Sequence, residues 1–232
     1  IEMSLLEFCV REDLNKKSNR LMVVQDPLKI TIINYEKDNE TLLLENNPEA
    51  ELKENREVYF SKTIYIEKED FMEEPPSKFF RLTTGKEVRL KGAYIIKAES
   101  VLKDSDGNIS EVICTYDPKS KSGSGTLESQ RKVKGTLHWV SAENSVELEI
   151  REYDRLFTHQ SPGDFDPTEF NSILNKDSIK IYNGYGEFAI QKTPPNEPVQ
   201  FQRKGYYVLD PCSTTSNLVF NKTVGLRDSW KK

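Results

Sequence analysis

Histidine and cysteine are nearly absent from this chain, whose 232 residues hold two His and three Cys. Cys9, Cys114 and Cys212 are odd in number, far apart and in no C-x-x-C spacing. That pattern argues against a disulfide framework and a zinc site, and it points to a reducing, cytoplasmic setting. With only His138 and His159 available, metal catalysis has no support and no metal ligand is expected. Neither G-x-S-x-G nor a cysteine-nucleophile signature occurs. The carboxylates are too numerous for any pair to stand out as a glycosidase site. Both histidines read as structural or surface groups, and no catalytic residue is assigned.

Long apolar runs are also missing: none approaches the roughly 18 to 20 residues a membrane span needs, and the N-terminus has no signal-peptide pattern. No membrane partner is expected. Phosphate-cradling loops are lacking too. PKSKSGSGTLESQ (118–130) reads as a flexible loop, because no G-K-[ST] ends it, and TTGKEVRL (83–90) lacks the upstream glycine. DSDGN (104–108) has its Gly at the fourth position, where a calcium loop needs it at the sixth, so it reads as a hairpin turn.

What the chain has in quantity is strand pattern. Period-2 runs rich in β-branched and aromatic residues begin at Leu28: LKITIINY, REVYFSKTIYI, KEVRLKGAYIIKAESVL, ISEVICTYD, KVKGTLHWV, SVELEIREY, SIKIYNGYGEFAI, VQFQRKGYYVL and LVFNKTVGL. Such spacing predicts an all-β body, and the strand count favours two β-barrels over one. The first 19 residues instead place Leu5, Leu6, Phe8, Cys9 and Leu14 at near-helical spacing, so a short α-helical segment precedes the barrels. That helix begins on Ile1 without an initiator Met, which suggests a piece that starts partway through a larger protein. EDFMEE (69–74) and PTEFNSIL (167–174) also have helical spacing.

Charge is unevenly spread. The chain carries 33 Lys and Arg against 38 Asp and Glu, a net of −5. Residues 45–74 hold ten acids against four bases, and residues 78–103 hold seven bases against two acids. This asymmetry is either two solvated faces or a local electrostatic footprint for a polyanion, in which case binding weakens with salt. Near strand ends lie Arg20, Arg81 beside Phe79 and Phe80, Arg89, and the cluster VQFQRKGYY at 199–207. Guanidinium and amide groups pair with base edges, and aromatic rings stack on splayed-out bases, as in single-stranded RNA recognition. Taken one by one, each of these arginines reads first as a surface charge or a salt-bridge partner.

The runs RLMVVQDPLKITIINY, FFRLTTGKEVRLKGAYIIKAE, RKVKGTLHWVSA, EIREYDRLF, VQFQRKGYYVLD and FNKTVGLRDSW, in this order, resemble the C-terminal half of bacterial-type glutaminyl-tRNA synthetases over essentially the whole chain. The glutamyl enzymes of archaeal and eukaryotic type share the opening R-x-M-x-x-x-D-P and generally lack HWVSA. The resemblance implies two barrels that grip an anticodon loop: residues 1–19 as the end of a helical subdomain, 20–60 with 150–232 as a proximal barrel, and 61–149 as a distal one. It implies glutamine tRNA as partner, through anticodon loop and stem, an upstream catalytic domain of the same chain, and a monomer. ATP and Mg belong to that upstream domain, whose HIGH-like and KMSKS-like motifs do not occur here, so this fragment has no cofactor of its own and does not aminoacylate.

Residue by residue, Arg20, Gln200 and Arg203 resemble the set that holds a central uridine, whose edge offers acceptors at O2 and O4 and a donor at N3. Arg81 resembles the reader of the third base, G, through O6 and N7. Arg89 resembles the contact to the first base, and Pro48 falls where the family has a proline near the loop. Three positions depart from the family pattern. Phe80 replaces a Lys, Glu49 an Asn, and Lys91 an Arg, which keeps the charge and loses the planar fork. In RKVKGTLHWVSA, the Val133, Leu137 or Trp139 side is expected to face the core, with the cations toward RNA backbone or the partner barrel. The rival readings are the same barrels from a glutamyl-tRNA synthetase, and a non-RNA all-β module such as a carbohydrate binder using Tyr and Trp faces.

Overall fold

The computed structural model describes residues 3–159 and 161–227. It opens with helix α1 (Met3–Lys17), whose last turn carries Lys16 and Lys17 as the helix dipole favours. The helix closes with Ser18 N–H on the Leu14 carbonyl (2.8 Å), and the chain then turns extended. Strands follow in chain order: β1 (Arg20–Leu21), β2 (Val23–Val24), β3 (Pro27–Ile32), β4 (Asn39–Glu45), β5 (Asn55–Ser61), β6 (Thr63–Glu67), β7 (Glu87–Leu90) and β8 (Ile95–Lys103). After these come β9 (Ile109–Tyr116), β10 (Thr136–Leu137), β11 (Val140–Ser141), β12 (Val146–Tyr153), β13 (Ile179–Gly186), β14 (Val199–Phe201), β15 (Gly205–Leu209) and β16 (Leu218–Gly225). Two one-turn helices, α2 (Leu127–Gln130) and α3 (Phe170–Ile173), interrupt them.

The strands form two barrel-like sheets, ordered β1-β14-β15-β16-β12-β13-β2 and β10-β7-β8-β9-β3-β6-β11, with β4 and β5 as a separate hairpin. The chain therefore leaves the first sheet after β2, builds the second, and returns at β12. This agrees with the all-β, two-barrel expectation behind a short helix. Where the sequence reading drew a boundary after residue 60, strand pairing joins β3 to β6 and β9, and the β4–β5 hairpin turns Leu42, Leu44, Val58 and Phe60 into the core of the second sheet.

That core is aromatic at its centre. Trp139 is fully buried, its ring edge-on to Phe60 at 5.0 Å, and Phe60 in turn meets Tyr35 at 5.2 Å. The first sheet closes over Phe201, stacked on Tyr207 at 4.1 Å and edge-on to Phe220 at 5.2 Å. Burying side chains of this size stabilises the fold by about 1.5–3 kcal/mol each. Tyr65 of β6 and Tyr185 of β13 stack at 4.6 Å and join the two sheets.

Several local expectations change. Strand β4 was not anticipated. The run KVKGTLHWV supplies only β10 and β11, with Leu137 and Trp139 buried as expected. EDFMEE gives a single 3-10 turn, Lys68–Asp70, because Phe71 pairs with Leu82 instead of continuing the helix. The 118–130 segment is no open loop: it contains a 3-10 turn at Pro118–Ser120 and α2, capped by the Thr126 hydroxyl accepting from Ser129 N–H at 3.1 Å. The DSDGN turn forms as read, with Gly107 at φ +82° and Asp104 accepting from the N–H of Asp106 and Asn108.

Candidate nucleic-acid interface

Strands β1 and β14 run parallel with Arg20 opposite Gln200, so these residues, 180 positions apart in sequence, become neighbours. Gln200 N–H donates to Asn19 O (2.8 Å) and Gln202 N–H to Leu21 O (3.0 Å), which fixes that register. Asn47 ties the Pro48 loop to the end of α1, its amide donating to the carbonyls of Asn15 and Ser18 at 3.0 Å. A cleft of about 470 Å³ opens here, lined by Arg20, Glu45, Pro48, Lys91, Gln202 and the Ser122–Gly123 turn among others. Gly92 is needed on its wall: φ is +67°, and a Cβ would lie 2.7 Å from the Leu44 side chain.

The polar side chains of this cleft are mostly donors, with Glu45 the one acid among the described residues lining it. Arg20 gives one Nη2–H to Asn15 Oδ1 (2.9 Å), while its Nε is buried without a partner. Burial depresses the Lys91 ammonium, and the nearby Arg20 and Arg56 charges depress it further against the opposing pull of Glu187. Gln200 stands just behind the cleft wall, buried, donating to the Tyr206 hydroxyl at 2.9 Å. The cleft amide is that of Gln202, which the sequence reading did not single out. It is buried and touches Arg20 O at 3.4 Å.

The next residue, Arg203, sits in the β14–β15 turn with φ at +70°, a left-handed conformation that costs a non-glycine residue of order 1 kcal/mol or more. Its guanidinium crosses to the other sheet and grips Asp70 with both arms, Nη1 to Oδ2 at 2.6 Å and Nη2 to Oδ1 at 2.7 Å. Asp70 is completely buried, and its Oδ1 is also ion-paired with Arg81 Nη1 at 3.1 Å. Beside it, His138 Nδ1 lies 3.4 Å from Arg203 Nη1, and His138 Nε2 lies 3.4 Å from Glu67 Oε1. Lys204 reaches Glu67 Oε2 at 3.2 Å. Burial alone would raise the Glu67 carboxyl; the His138 imidazole, the Lys204 charge and the Gln25 N–H outweigh it and hold the group at about 2.

Arg81 lines a second cleft of about 520 Å³, with Pro75, Pro76, Phe80, Lys86, Lys134 and Gly135 among its walls. Phe80 is half exposed, and Lys134 Nζ stands 5.5 Å above its ring. Gly135 lets the two backbone segments approach, since a Cβ there would fall 2.5 Å from Phe80 O. Among the described residues Lys86 and Lys134 have no carboxylate partner. Of the cations at 131–134, Arg131 is held by Glu87 and by Asp117 at 3.2 Å, while Lys132 and Lys134 face solvent.

Arg89 behaves differently. Its Nη1 donates to Ser120 O and Ser122 Oγ, and its Nη2 to the carbonyls of Ser129 and Arg131, at 2.8–3.3 Å. It organises the 118–131 segment, whose Ser122 and Gly123 border the Arg20 cleft.

The structure thus brings Arg20 and Pro48 to one cleft, leaves Gln200 behind it as the strand neighbour of Arg20, parts Arg203 from that pair by joining it with Arg81 at Asp70, and turns Arg89 into a loop. Sequence reading missed Asp70, Gln202 and the Glu67–His138–Lys204 contacts. Only Gln202, inside the quoted Q-F-Q-R run, carried a visible signal. No helix among the described residues is long and apolar enough to cross a membrane.

Comparison with known proteins gives the family. Two models described as tRNA synthetases class I (E and Q), anti-codon binding domain, match residues 18–117 and 136–210. Relatives named glutamine–tRNA ligase match over 100% of the chain: 48% identical in Vibrio parahaemolyticus, 47% in Rhodopirellula baltica and 47% in Salmonella choleraesuis. The chain spans 41%, 39% and 41% of those relatives' lengths. With most of the chain matched by two models of one description, the chain belongs to the anticodon-binding domain family of the class I (E and Q) tRNA synthetases.

Proposed function

We propose that this chain reads the anticodon of glutamine tRNA for a glutamine–tRNA ligase whose catalytic part, using ATP and Mg, lies elsewhere in the complete protein. The observation that carries the reading is the divergence of two consecutive residues: Gln202 lines the Arg20 cleft, while Arg203 reaches Asp70 and joins Arg81 of the second cleft. One hairpin thereby serves two donor-rich recesses, and two adjacent bases splayed apart suit them. Arg20, Gln200 and Gln202 take the central base, with Pro48 shaping the rim. Arg203 stands beside the central base and Arg81 beside the third, both held at Asp70, and Arg89 acts on the first through the turn it holds. Half-exposed Phe80 offers a stacking face, and Lys86 and Lys134 offer charge to phosphates. The three cysteines are free, in keeping with the cytoplasmic setting proposed for it. As domains we assign α1 to a preceding helical part, β1–β2 with β12–β16 to the proximal barrel, and β3–β11 to the distal one.

A competition experiment tests this. Glutamine tRNA displaced from the chain by its own anticodon stem-loop, and far less by that of glutamate tRNA, supports the reading; equal displacement contradicts it.

A further inference from the structure

We infer that Asp70 is a positioning residue that couples the recognition of two neighbouring anticodon bases. The inference rests on the reading of the chain as an anticodon reader and goes beyond the set of readers assigned to it. Asp70 ends the 3-10 turn after β6, so it belongs to the second sheet, yet its carboxylate is spent on an arginine of the first. Each oxygen accepts from Arg203, and Oδ1 is also ion-paired with Arg81 Nη1, whose N–H donates to Glu69 O. Its own carbonyl takes the Leu82 N–H at 2.9 Å, which fixes the backbone on which Arg81 stands.

One buried carboxylate therefore lies between two guanidinium charges, and the exposed Glu69, 3.9 Å from Arg81 Nη1, is the second acid beside them. Arg203 Nη1 and Nη2 each spend one N–H on Asp70, and the remaining donors of the fork are set at a fixed angle. Side-chain exposures of 33% for Arg203 and 37% for Arg81 leave both accessible to a ligand. The left-handed backbone of Arg203 places it at this carboxylate, a strained conformation of the kind that surrounding contacts must hold. Because both cations share Oδ1, moving either one changes the pull on the other. Recognition of the two bases is linked through that single atom.

Asp70→Asn keeps the shape, turns one acceptor into a donor facing Arg203, and removes the countercharge. Affinities of the chain for glutamine anticodon stem-loops, each with one anticodon base replaced, are measured alongside thermal melting. In Asp70→Asn, discrimination at the second and third bases falls together by about tenfold, equivalent to ~1.4 kcal/mol, while discrimination at the first base is unchanged. A purely structural loss would lower affinity for all stem-loops alike, and that result, or loss at only one position, overturns the inference. Should Asp70→Asn fail to fold, Arg81→Gln serves: it lowers discrimination at the second base as well as the third, and an untouched second base overturns the coupling. If the unsubstituted chain distinguishes no base at any position, anticodon reading falls and takes this role with it. If it distinguishes them and Asp70→Asn does so equally well, only the role of Asp70 falls.

Discussion

Arg56 of β5 and Glu187, just beyond β13, are 131 residues apart and form a buried ion pair between the two sheets, with Nη2 3.1 Å from Oε2 and a second contact from Nε to Oε1. The same carboxylate accepts Met22 N–H at 3.1 Å, and Arg56 Nη1 donates to Glu45 O at 2.7 Å. This cluster lies next to the Arg20 cleft, since Glu45 is part of its lining and Lys91 feels both charges.

Arg56→Ala leaves Glu187 charged, buried and unpaired, and such breakage costs about 3–5 kcal/mol. Urea unfolding measures it. A loss below ~1 kcal/mol would show that the pair does not hold the sheets together.

Glu67 gives a pH signature. Its folded carboxyl, at about 2, lies below the ordinary 4.5, so the ionised group stabilises the fold above pH 4.5 and that contribution is lost as pH falls toward 2. Glu67→Gln is therefore less stable than the unsubstituted chain at neutral pH by on the order of 3 kcal/mol. The gap narrows steadily on acidification through that window. A gap that stays constant down to pH 2 refutes the assignment.

Arg89→Lys removes the planar fork that gathers Ser120, Ser122, Ser129 and Arg131. Amide exchange across residues 118–131 then quickens by about tenfold, the effect of losing ~1–2 kcal/mol of local hydrogen bonding. Unchanged exchange there would mean the segment holds itself.

Much of this fold was legible in the letters. Alternation marked β8, β9, β12 and β16, and Asp-Gly marked the turn between β8 and β9. The Trp139 side of its segment was rightly placed in the core. Strand β4 escaped because TLLLE shows three leucines in a row. Leu42 and Leu44 are buried while Leu43 is 70% exposed, an alternation that equal side chains conceal. Residues 132–135 looked like strand yet do not pair as one. There Gly135 is pressed against Phe80, and only its carbonyl, taking the Arg89 N–H at 2.9 Å, joins the start of the β7–β10 pairing.

The site was harder to read, for a physical reason. Arg20, Gln200, Arg81 and Arg203 were visible as donors, but a donor's partner is set by tertiary geometry. Asp70 lies in an acidic stretch that reads as solvated surface, and nothing local distinguishes the buried Asp70 from the exposed Glu69 beside it. The inward turn of Arg89 is equally hidden, because its acceptors are mostly backbone carbonyls, which every residue has. Gln202 stood next to two chosen residues and was passed over, since alternation alone does not tell which amide of Q-F-Q faces a cleft.

The most direct test is the equilibrium affinity of the chain for the glutamine anticodon stem-loop after Arg20→Ala, compared with Lys176→Ala at an exposed lysine. Arg20→Ala is expected to weaken binding by about 1–3 kcal/mol and to relax discrimination at the central base, while Lys176→Ala changes little. Equal losses in the two variants, with central-base discrimination intact, would contradict the account.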